Sequence, residues 1–322
     1  MNAFSIEVQD LVKTYPKGIR ALNELTFAVP QGILFGLLGP NGAGKSTTVK
    51  ILTTLSRADS GIARIVGLDV RRNPEQVRRV IGVVGQKASA DPEATGRENI
   101  ALQGKVFGLS GRVLADRVTE MLERLDLVAA AGRTVRTYSG GMKRRLDIAM
   151  GLVHRPQVLF LDEPTTGLDP EIRAQIWDYL SRLVREDGIT ILLTTHYLEE
   201  ADQLAGLLAI VDRGRVVATG TPSELKERMR ADTLHVKMGA LPLNGEIDRA
   251  LTGLPDISEY SVTGDRLKLR IENGAVAITS VLASLEGHGV EVASATVSRP
   301  SLDDVYLRYT GRLFDADSEV SQ

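Results

Sequence analysis

The chain has 322 residues, no cysteine and a formal net charge of -2, with 43% hydrophobic and 25% charged residues. Its length allows one large domain and a smaller one. Its charge balance argues against nucleic acid as the main partner. Its lack of cysteine excludes disulfides. The first residues lack the layout of a signal peptide and no apolar run approaches the roughly 20 residues of a membrane helix, so we expect a cytoplasmic chain whose membrane role would need a partner.

A glycine-rich segment is the first informative feature along the chain. The pattern G-x-x-x-x-G-K-[ST] lies between an apolar run at 33–38 and a helix-like segment at 45–55. Its glycines let backbone N–H groups point at phosphate oxygens, while Lys45 can reach the β- and γ-phosphates and Ser46 can ligate Mg²⁺. A dinucleotide fingerprint would need glycine at Thr47. We therefore expect a nucleoside triphosphate to bind at this phosphate loop, which comprises Gly39, Pro40, Asn41, Gly42, Ala43, Gly44, Lys45, Ser46 and Thr47.

Residues 1–223 alternate strand-like and helix-like segments, which predicts an α/β domain with a largely parallel sheet. The segments behind this prediction are apolar strand runs at 158–161 and 189–193, a helix-rich insert at about 92–153, a proline-capped helix after Asp169 and a hairpin at 210–217. Three clusters of positive charge, at 71–72, 78–79 and 143–145, are expected to be solvent exposed.

The character of the sequence changes after this domain. Residues 224–232 form a charged linker, and 233–300 predict the order βαββαβ of a small ferredoxin-like α+β domain. A helix is predicted at 301–312, and the polar tail at 313–322 is predicted to be disordered.

Two carboxylates follow the buried strand predicted at 158–161. A carboxylate at such a strand end is costly without a cation or a polarised water. Asp162 can hold Mg²⁺ opposite Ser46, and Glu163 is then placed to orient or deprotonate the attacking water. Two solvated carboxylates are the alternative, which the neighbouring phosphate loop makes the weaker one.

A third motif indicates a family. Ser139-Gly140-Gly141 opens a predicted helix between the phosphate loop and the carboxylates. In this order it resembles the signature motif of ATP-binding cassette (ABC) ATPases, which most often reads Leu-Ser-Gly-Gly-Gln, although Tyr138 and Met142 depart from that consensus. A hydroxyl and glycine N–H groups at a helix start make a second anion site. In that family the motif completes the nucleotide site of a second copy in a head-to-tail dimer.

The remaining markers of the family are present in order. The resemblance implies that Tyr15 stacks on adenine, that Gln86 senses Mg²⁺ and couples to a membrane partner, and that His196 contacts the γ-phosphate. Asp169 matches the aspartate that communicates across the dimer, although it is also a good helix cap, just as Tyr15 could be an ordinary strand-end tyrosine. The other histidines lack such context and are expected to be structural or on the surface: His154, His235 and His288.

The resemblance also implies a fold and a division of roles. The fold would be a P-loop NTPase cassette, with a RecA-like core and a helical subdomain, that binds ATP and Mg²⁺. The residues implied to carry catalysis are Lys45, Glu163 and His196. Those implied to hold the metal are Ser46, Gln86 and Asp162. Those implied to contact nucleotide, besides the phosphate loop, are Tyr15, Gln86, Ser139, Gly140, Gly141 and Asp169.

Finer features, at 94–99, 165–170 and 301–312, resemble the bacterial daunorubicin/doxorubicin-resistance type of drug-exporter ATPase. This resemblance implies a homodimer on the inner face of the membrane that powers efflux of a drug-like or hydrophobic compound through a separate permease subunit. It makes 301–312 a candidate docking or regulatory helix, with simple packing on the small domain as the alternative. Lipid or glycan export and a DNA-repair type of ABC ATPase stay open, although the insert is too short for long coiled coils.

Overall fold

A computed structural model describes residues 4–229, 232–240, 245–252, 254, 257–272 and 274–311. The chain divides into two compact units, of which the first ends at Pro222 and the second begins at Ser223. The tail predicted at 313–322 lies outside the described residues. Among those that are described, no helix combines the length and the apolar character needed to cross a bilayer.

The first unit is an α/β domain with two sheets. Its strands are β1 (Phe4–Tyr15), β2 (Ile19–Pro30), β3 (Leu34–Leu38), β4 (Ser60–Ile65), β5 (Leu68–Asp69), β6 (Ile81–Val84), β7 (Val158–Asp162), β8 (Thr190–Thr195), β9 (Leu207–Asp212) and β10 (Arg215–Gly220). Its helices are α1 (Lys45–Leu52), α2 (Pro74–Val80), α3 (Gly96–Val106), α4 (Gly111–Arg124), α5 (Gly140–Leu152), α6 (Pro170–Asp187) and α7 (Leu198–Leu204).

The predicted, largely parallel sheet is confirmed. It has six strands in the order β10-β9-β3-β8-β7-β6, and only the edge strand β10 runs antiparallel to its neighbour. Strands β3 and β8 are buried at every residue, as expected for central strands covered on both faces. The predicted hairpin is β9–β10.

A second sheet was not predicted from the sequence. It has four antiparallel strands in the order β2-β1-β4-β5 and shares one hydrophobic core with the parallel sheet. Phe27 of β2 stacks on Phe35 of β3 with ring centroids 5.3 Å apart, and Val49 and Ile51 of α1 belong to the same core. The helix that follows the phosphate loop is therefore held by the common core of both sheets.

Helices α3, α4 and α5 form the helix-rich insert. One apolar face of α4 is buried, together with Leu125 at its C-terminal end: Leu114, Val118, Met121 and Leu122. Helix α5 approaches β6 so closely that a Cβ atom on Gly82 would lie 2.2 Å from the carbonyl oxygen of Gly151. This contact, which only glycine permits, brings α5 against the strand that leads to Gln86.

The second unit confirms the predicted ferredoxin-like order. After α8 (Pro222–Glu227) its elements are β11 (Asp232–Met238), α9 (Glu246–Leu251), β12 (Ile257–Thr263), β13 (Arg266–Ile271), α10 (Gly274–Gly287), β14 (Val292–Ser298) and α11 (Leu302–Thr310). The sheet is antiparallel in the order β12-β13-β11-β14, and its apolar face packs on α9 and α10. Ser301 caps α11 in a capping box with Asp304.

Candidate functional site

The phosphate loop leaves the buried strand β3 and leads into α1. Gly42 and Gly44 have φ angles of 79° and 110°, and a Cβ atom on Gly44 would lie 2.7 Å from the carbonyl oxygen of Ala21. The curl of this loop therefore needs glycine at position 44 for two independent reasons. The Lys45 side chain is 4% exposed, and its Nζ donates to the carbonyl oxygens of Gly39 (2.6 Å) and Pro40 (3.0 Å).

Three oxygen atoms from three elements meet next to this loop. Ser46 Oγ at the start of α1 donates to Asp162 Oδ1 at 3.2 Å, and Thr194 Oγ1 on β8 donates to the same atom at 2.5 Å. Hydroxyl and carboxylate oxygens suit Mg²⁺, which commonly takes only one or two carboxylates and completes its shell with water and substrate phosphates. No group of three or more His, Cys, Asp or Glu side chains that could hold a metal occurs in the described part of the chain. The oxygen atoms of Ser46, Thr194 and Asp162 are of the kind that fits a Mg²⁺ ion.

Glu163 joins three of the predicted residues. Its Oε2 accepts a hydrogen bond from Gln86 Nε2 at 3.0 Å, and its Oε1 lies 3.8 Å from Lys45 Nζ and 3.1 Å from His196 Nδ1. The contact of His196 Nδ1 with Glu163 is short but falls outside the geometry of a hydrogen bond. Glu163 also has a φ of 49°, a strained conformation for this residue type that often marks functional sites.

Charge around these groups favours an ionised Glu163 beside a protonated Lys45. The His196 imidazole holds the pKa of the Glu163 carboxyl below its usual value, against the opposite effect of burial, and Lys45 adds to the lowering. Burial lowers the pKa of Lys45, but Glu163 and Asp162 oppose that change. A carboxylate that stays ionised can accept a hydrogen bond from an attacking water.

The predicted second anion site begins α5. Ser139 and Gly140 are exposed, and the Ser139 side chain caps the helix by accepting a hydrogen bond from the Met142 N–H at 3.3 Å. A Cβ atom on Gly141 would lie 2.6 Å from Ile172 Cγ2, and one on Gly140 would lie 3.5 Å from Leu168 Cδ2. Glycine at position 141 therefore lets the start of α5 pack on Ile172 of α6, whereas a Cβ atom at position 140 would make only an ordinary contact.

Tyr15 and Asp169, two further residues implied by the family resemblance, lie at positions that an ordinary structural role would also explain. Tyr15 is half-buried at the end of β1 and pairs with Ile19, whose strand β2 continues to the Ala21 that borders the phosphate loop. Asp169 caps α6 by accepting a hydrogen bond from the Ile172 N–H at 2.9 Å. Their assigned contacts with adenine and across a dimer stay predictions.

The remaining histidines are structural or exposed, as predicted. His154 stacks on Phe107 with centroids 3.6 Å apart and lies 2.8 Å from the Ile81 carbonyl oxygen. His235 is exposed on β11, and His288, directly after α10, has its Nδ1 2.8 Å from the Ser284 carbonyl oxygen.

Comparison with known proteins decides the family. A family model described as "ABC transporter" matches residues 22–166, and one described as "ATP-binding protein DrrA1-3-like, C-terminal domain" matches 220–310. The daunorubicin resistance ATP-binding protein DrrA2 of Streptomyces coeruleorubidus is 44% identical over 315 residues, which cover 97% of this chain and 96% of that protein. DrrA of Streptomyces peucetius, a daunorubicin/doxorubicin resistance ATP-binding protein, is 44% identical over 97% of this chain and 94% of its own.

Among solved structures, a dimeric post-hydrolysis state of the ATP-binding cassette MJ0796 bound to ADP and Pi has a TM-score of 0.61 and 27% identity. The likeness covers 67% of this chain and 98% of that one. The chain belongs to the ABC transporter ATP-binding family. It is therefore a nucleotide-binding, ATP-hydrolysing transporter subunit.

One expectation about the surface of this ABC ATPase is wrong. The cluster at 143–145 was expected to be exposed, but Arg144 is only 7% exposed and Lys143 and Arg145 are half-buried. Arg144 donates to the carbonyl oxygens of Pro164 (2.6 Å) and Gly85 (2.7 Å). Arg144 lies three residues after Gly141, which is buried, so the two residues share one face of α5. This spacing could have indicated from the sequence that Arg144 is buried. The clusters at 71–72 and 78–79 are exposed, as predicted.

A buried acid of the ABC ATPase was missed as well. Glu200 on α7 is fully buried, and its Oε1 accepts hydrogen bonds from Thr165 Oγ1 (2.8 Å) and Trp177 Nε1 (3.0 Å). Its Oε2 is buried with no hydrogen-bond partner in the described part of the chain. Burial raises the pKa of Glu200, and the hydrogen bonds to its carboxyl oppose that change.

This raised pKa predicts a pH-dependent stability that a single substitution removes. A carboxyl whose pKa is raised by folding holds its proton more tightly in the folded chain, so the folded state loses stability as the pH rises from the ordinary glutamate pKa to the raised one. Glu200→Gln cannot titrate. The free energy of unfolding of E200Q minus that of the wild type should therefore increase with pH in that window, by up to about 1.4 kcal/mol per pH unit.

Chemical denaturation at several pH values measures this difference. The exposed neighbour Glu199 supplies the control, because Glu199→Gln removes a carboxyl on the same helical turn without removing a buried one. A difference for E200Q that does not change with pH would contradict the prediction.

Proposed function

We propose that this ATPase powers export of a drug-like or hydrophobic compound through a separate membrane subunit. The observation that carries the proposal is the extent of the similarity. At 44% identity it spans nearly the whole length of two proteins named for daunorubicin resistance, and the match continues through 220–310, beyond the cassette that all such ATPases share. None of the relatives described above is named as a DNA-repair protein.

We place each ATP in a seam between two copies of the chain. One copy would contribute the phosphate loop with Lys45, and the other would contribute Ser139 and Gly141. Two observations support this arrangement: the related MJ0796 cassette is dimeric with ADP and Pi, and Ser139 and Gly140 are exposed at the start of α5, where backbone N–H groups attract anions. Tyr15 is the proposed adenine contact and Asp169 the proposed contact across the seam.

The residues around Glu163 suggest how hydrolysis would proceed. The Glu163 carboxylate would accept a hydrogen bond from the attacking water and orient it, while His196 and Gln86 hold that carboxylate in place. Lys45 would exchange its bonds to the Gly39 and Pro40 carbonyl oxygens for bonds to phosphate. Mg²⁺, when bound with ATP, would be held by Ser46, Asp162 and Gln86 and would neutralise phosphate charge.

A groove next to β6, the strand that leads to Gln86, is the proposed contact for the membrane subunit. It has a volume of about 210 Å³ and is lined by residues that include Leu55, Ile81, Val83 and Phe107. Leu55 is 75% exposed and Val83 is 40% exposed, so apolar surface faces solvent close to the strand that leads to Gln86. An apolar segment of the membrane subunit would cover this surface and pass its movement to Gln86.

We expect co-expression with the membrane subunit to lower cellular accumulation of an anthracycline such as daunorubicin. Glu163→Gln should abolish the effect, because the drug would move only with hydrolysis. Leu55→Asp should reduce co-purification of the two subunits but not ATP binding, because Leu55 lies in the groove and not in the phosphate loop. Equal accumulation with the wild type and E163Q would refute drug export, and transport of a lipid or glycan instead would support the alternative substrate class.

Glu163→Gln tests the catalytic assignment separately. We expect E163Q to bind ATP normally, to lose turnover by at least about a hundredfold and to accumulate as a dimer with ATP, because glutamine cannot accept a proton from water. Steady-state ATPase rates and size-exclusion chromatography measure these effects. Glu171→Gln, which replaces an exposed acid of α6, is the control for the loss of one charge. Unchanged ATPase activity in E163Q would refute the assignment of Glu163 as a catalytic residue.

Ser139→Ala tests the seam. We expect it to impair hydrolysis more than ATP binding, because Ser139 would meet phosphate only from the second copy. Ser110→Ala is a matched control, since Ser110 is also an exposed N-cap residue but makes no capping hydrogen bond. Loss of the Ser139 cap costs about 1 kcal/mol of stability, which thermal unfolding would report independently. An equal loss of binding and hydrolysis would argue against a site completed by the second copy.

A further inference from the structure

Two side chains on one face of α5 form hydrogen bonds with the loop that carries Gln86. We call residues 85–89 the Gln86 loop and these hydrogen bonds the grip. Arg144 Nη1 donates to the Gly85 carbonyl oxygen at 2.7 Å, directly before Gln86. Asp147 Oδ1 accepts hydrogen bonds from the backbone N–H (3.0 Å) and the hydroxyl (2.9 Å) of Ser89, three residues after it. Residues three apart share a helix face, so one turn of α5 holds the loop on both sides of Gln86.

Arg144 also reaches the segment that carries Glu163. Its Nε donates to the Pro164 carbonyl oxygen at 2.6 Å, and its Nη2 lies 3.4 Å from the Asp162 carbonyl oxygen. These two carbonyl groups flank Glu163 on both sides. Since Gln86 itself donates to Glu163 at 3.0 Å, one guanidinium fixes both members of that pair through the backbone.

The environment makes these bonds strong and specific. Arg144 and Asp147 are only 7% and 3% exposed, and hydrogen bonds from or to charged groups gain strength where water is excluded. The planar guanidinium offers donors in several directions at once, which a lysine ammonium on a flexible stem cannot reproduce. The three carbonyl groups around Arg144 belong to two separate segments, so the arginine geometry is what joins them.

Helix α5 connects this grip to the other half of the proposed ATP site. The helix begins at Gly140 with Ser139 as its cap, about one turn before Arg144. A continuous helix moves as a rigid element, so the position of Ser139–Gly141 follows that of Arg144 and Asp147. The close packing of Gly141 on Ile172 leaves the start of the helix little freedom to adjust.

We propose that Arg144 and Asp147 are positioning residues of the ATPase reaction, which hold the Gln86–Glu163 pair and the Ser139–Gly141 segment of one chain at a fixed separation. This proposal rests on the composite site proposed above, in which those two groups serve different ATP molecules. The hydrogen bonds that Arg144 and Asp147 make go to the Gln86 loop and to the backbone on either side of Glu163, so both side chains act through those segments.

Conservative and non-conservative substitutions in the full-length chain separate positioning from simple packing. Asp147→Asn keeps an Oδ1 acceptor for Ser89 and should retain kcat within about twofold, whereas Asp147→Ala should lower kcat about tenfold. Arg144→Lys keeps the charge and the aliphatic stem but reaches one carbonyl, so it should also lower kcat about tenfold. KM and the affinity for a non-hydrolysable ATP analogue should stay within about threefold in all variants, because the phosphate loop is untouched.

Ser89→Ala gives a variant with little effect on folding. Ser89 is exposed, and the alanine loses the hydroxyl bond to Asp147 but keeps the N–H bond. We expect a two- to fivefold fall in kcat with unchanged thermal stability. This result shows the role of the grip even if Arg144→Lys proves too unstable to assay.

Steady-state ATPase kinetics, analogue binding and thermal unfolding of each variant, run beside Ser139→Ala, decide the outcome. Wild-type kcat in Arg144→Lys, or equal damage from Asp147→Asn and Asp147→Ala, would overturn the proposal. If Ser139→Ala slows ATP hydrolysis while Arg144→Lys does not, the composite site is supported and the positioning role of Arg144 is refuted. If Ser139→Ala is unaffected, the composite site fails, and the proposed link to Ser139–Gly141 fails with it.

Discussion

A buried ammonium group is the constraint on which the site depends. Lys45 is 4% exposed, and a charge in such a place is costly unless polar groups surround it. Two loop carbonyl oxygens accept its hydrogen bonds and the Glu163 carboxylate lies 3.8 Å away, so the cation is stabilised without a close ion pair. A fixed positive charge in a dry pocket can interact strongly with phosphate and needs little reorganisation to do so.

The parallel sheet explains how residues so distant in sequence surround that lysine. Strands β3, β6, β7 and β8 are neighbours or near neighbours and run in one direction, so the segments after their carboxyl ends lie at one edge. Those four segments carry the phosphate loop, Gln86, Glu163 and His196. Behind that edge lie two buried polar centres, Arg144 and Glu200, which connect the same segments to α5 and α7.

Much of this arrangement was predictable because it depends on local patterns. A phosphate loop needs glycine at fixed positions, a buried parallel strand needs a continuous apolar run, and a proline-capped helix needs Asp169 at its start. The polar interior was not predictable in the same way. Arg144 was expected on the surface because runs of positive charge are usually solvated, but the carbonyl groups around it belong to residues 18, 20 and 59 positions away.

Composition and motif order were enough to identify a single-cassette ATPase with a ferredoxin-like domain, because each element is specified by residues close together in the chain. Folding added the contacts between distant segments: the Gln86–Glu163 hydrogen bond, the antiparallel sheet that shares the core, and the grip of α5 on the Gln86 loop. These contacts join groups that are separated by tens of residues and that become neighbours only when strands pair and helices pack. Periodicity along the chain carries no record of such pairings, so the three-dimensional structure was needed to reveal them.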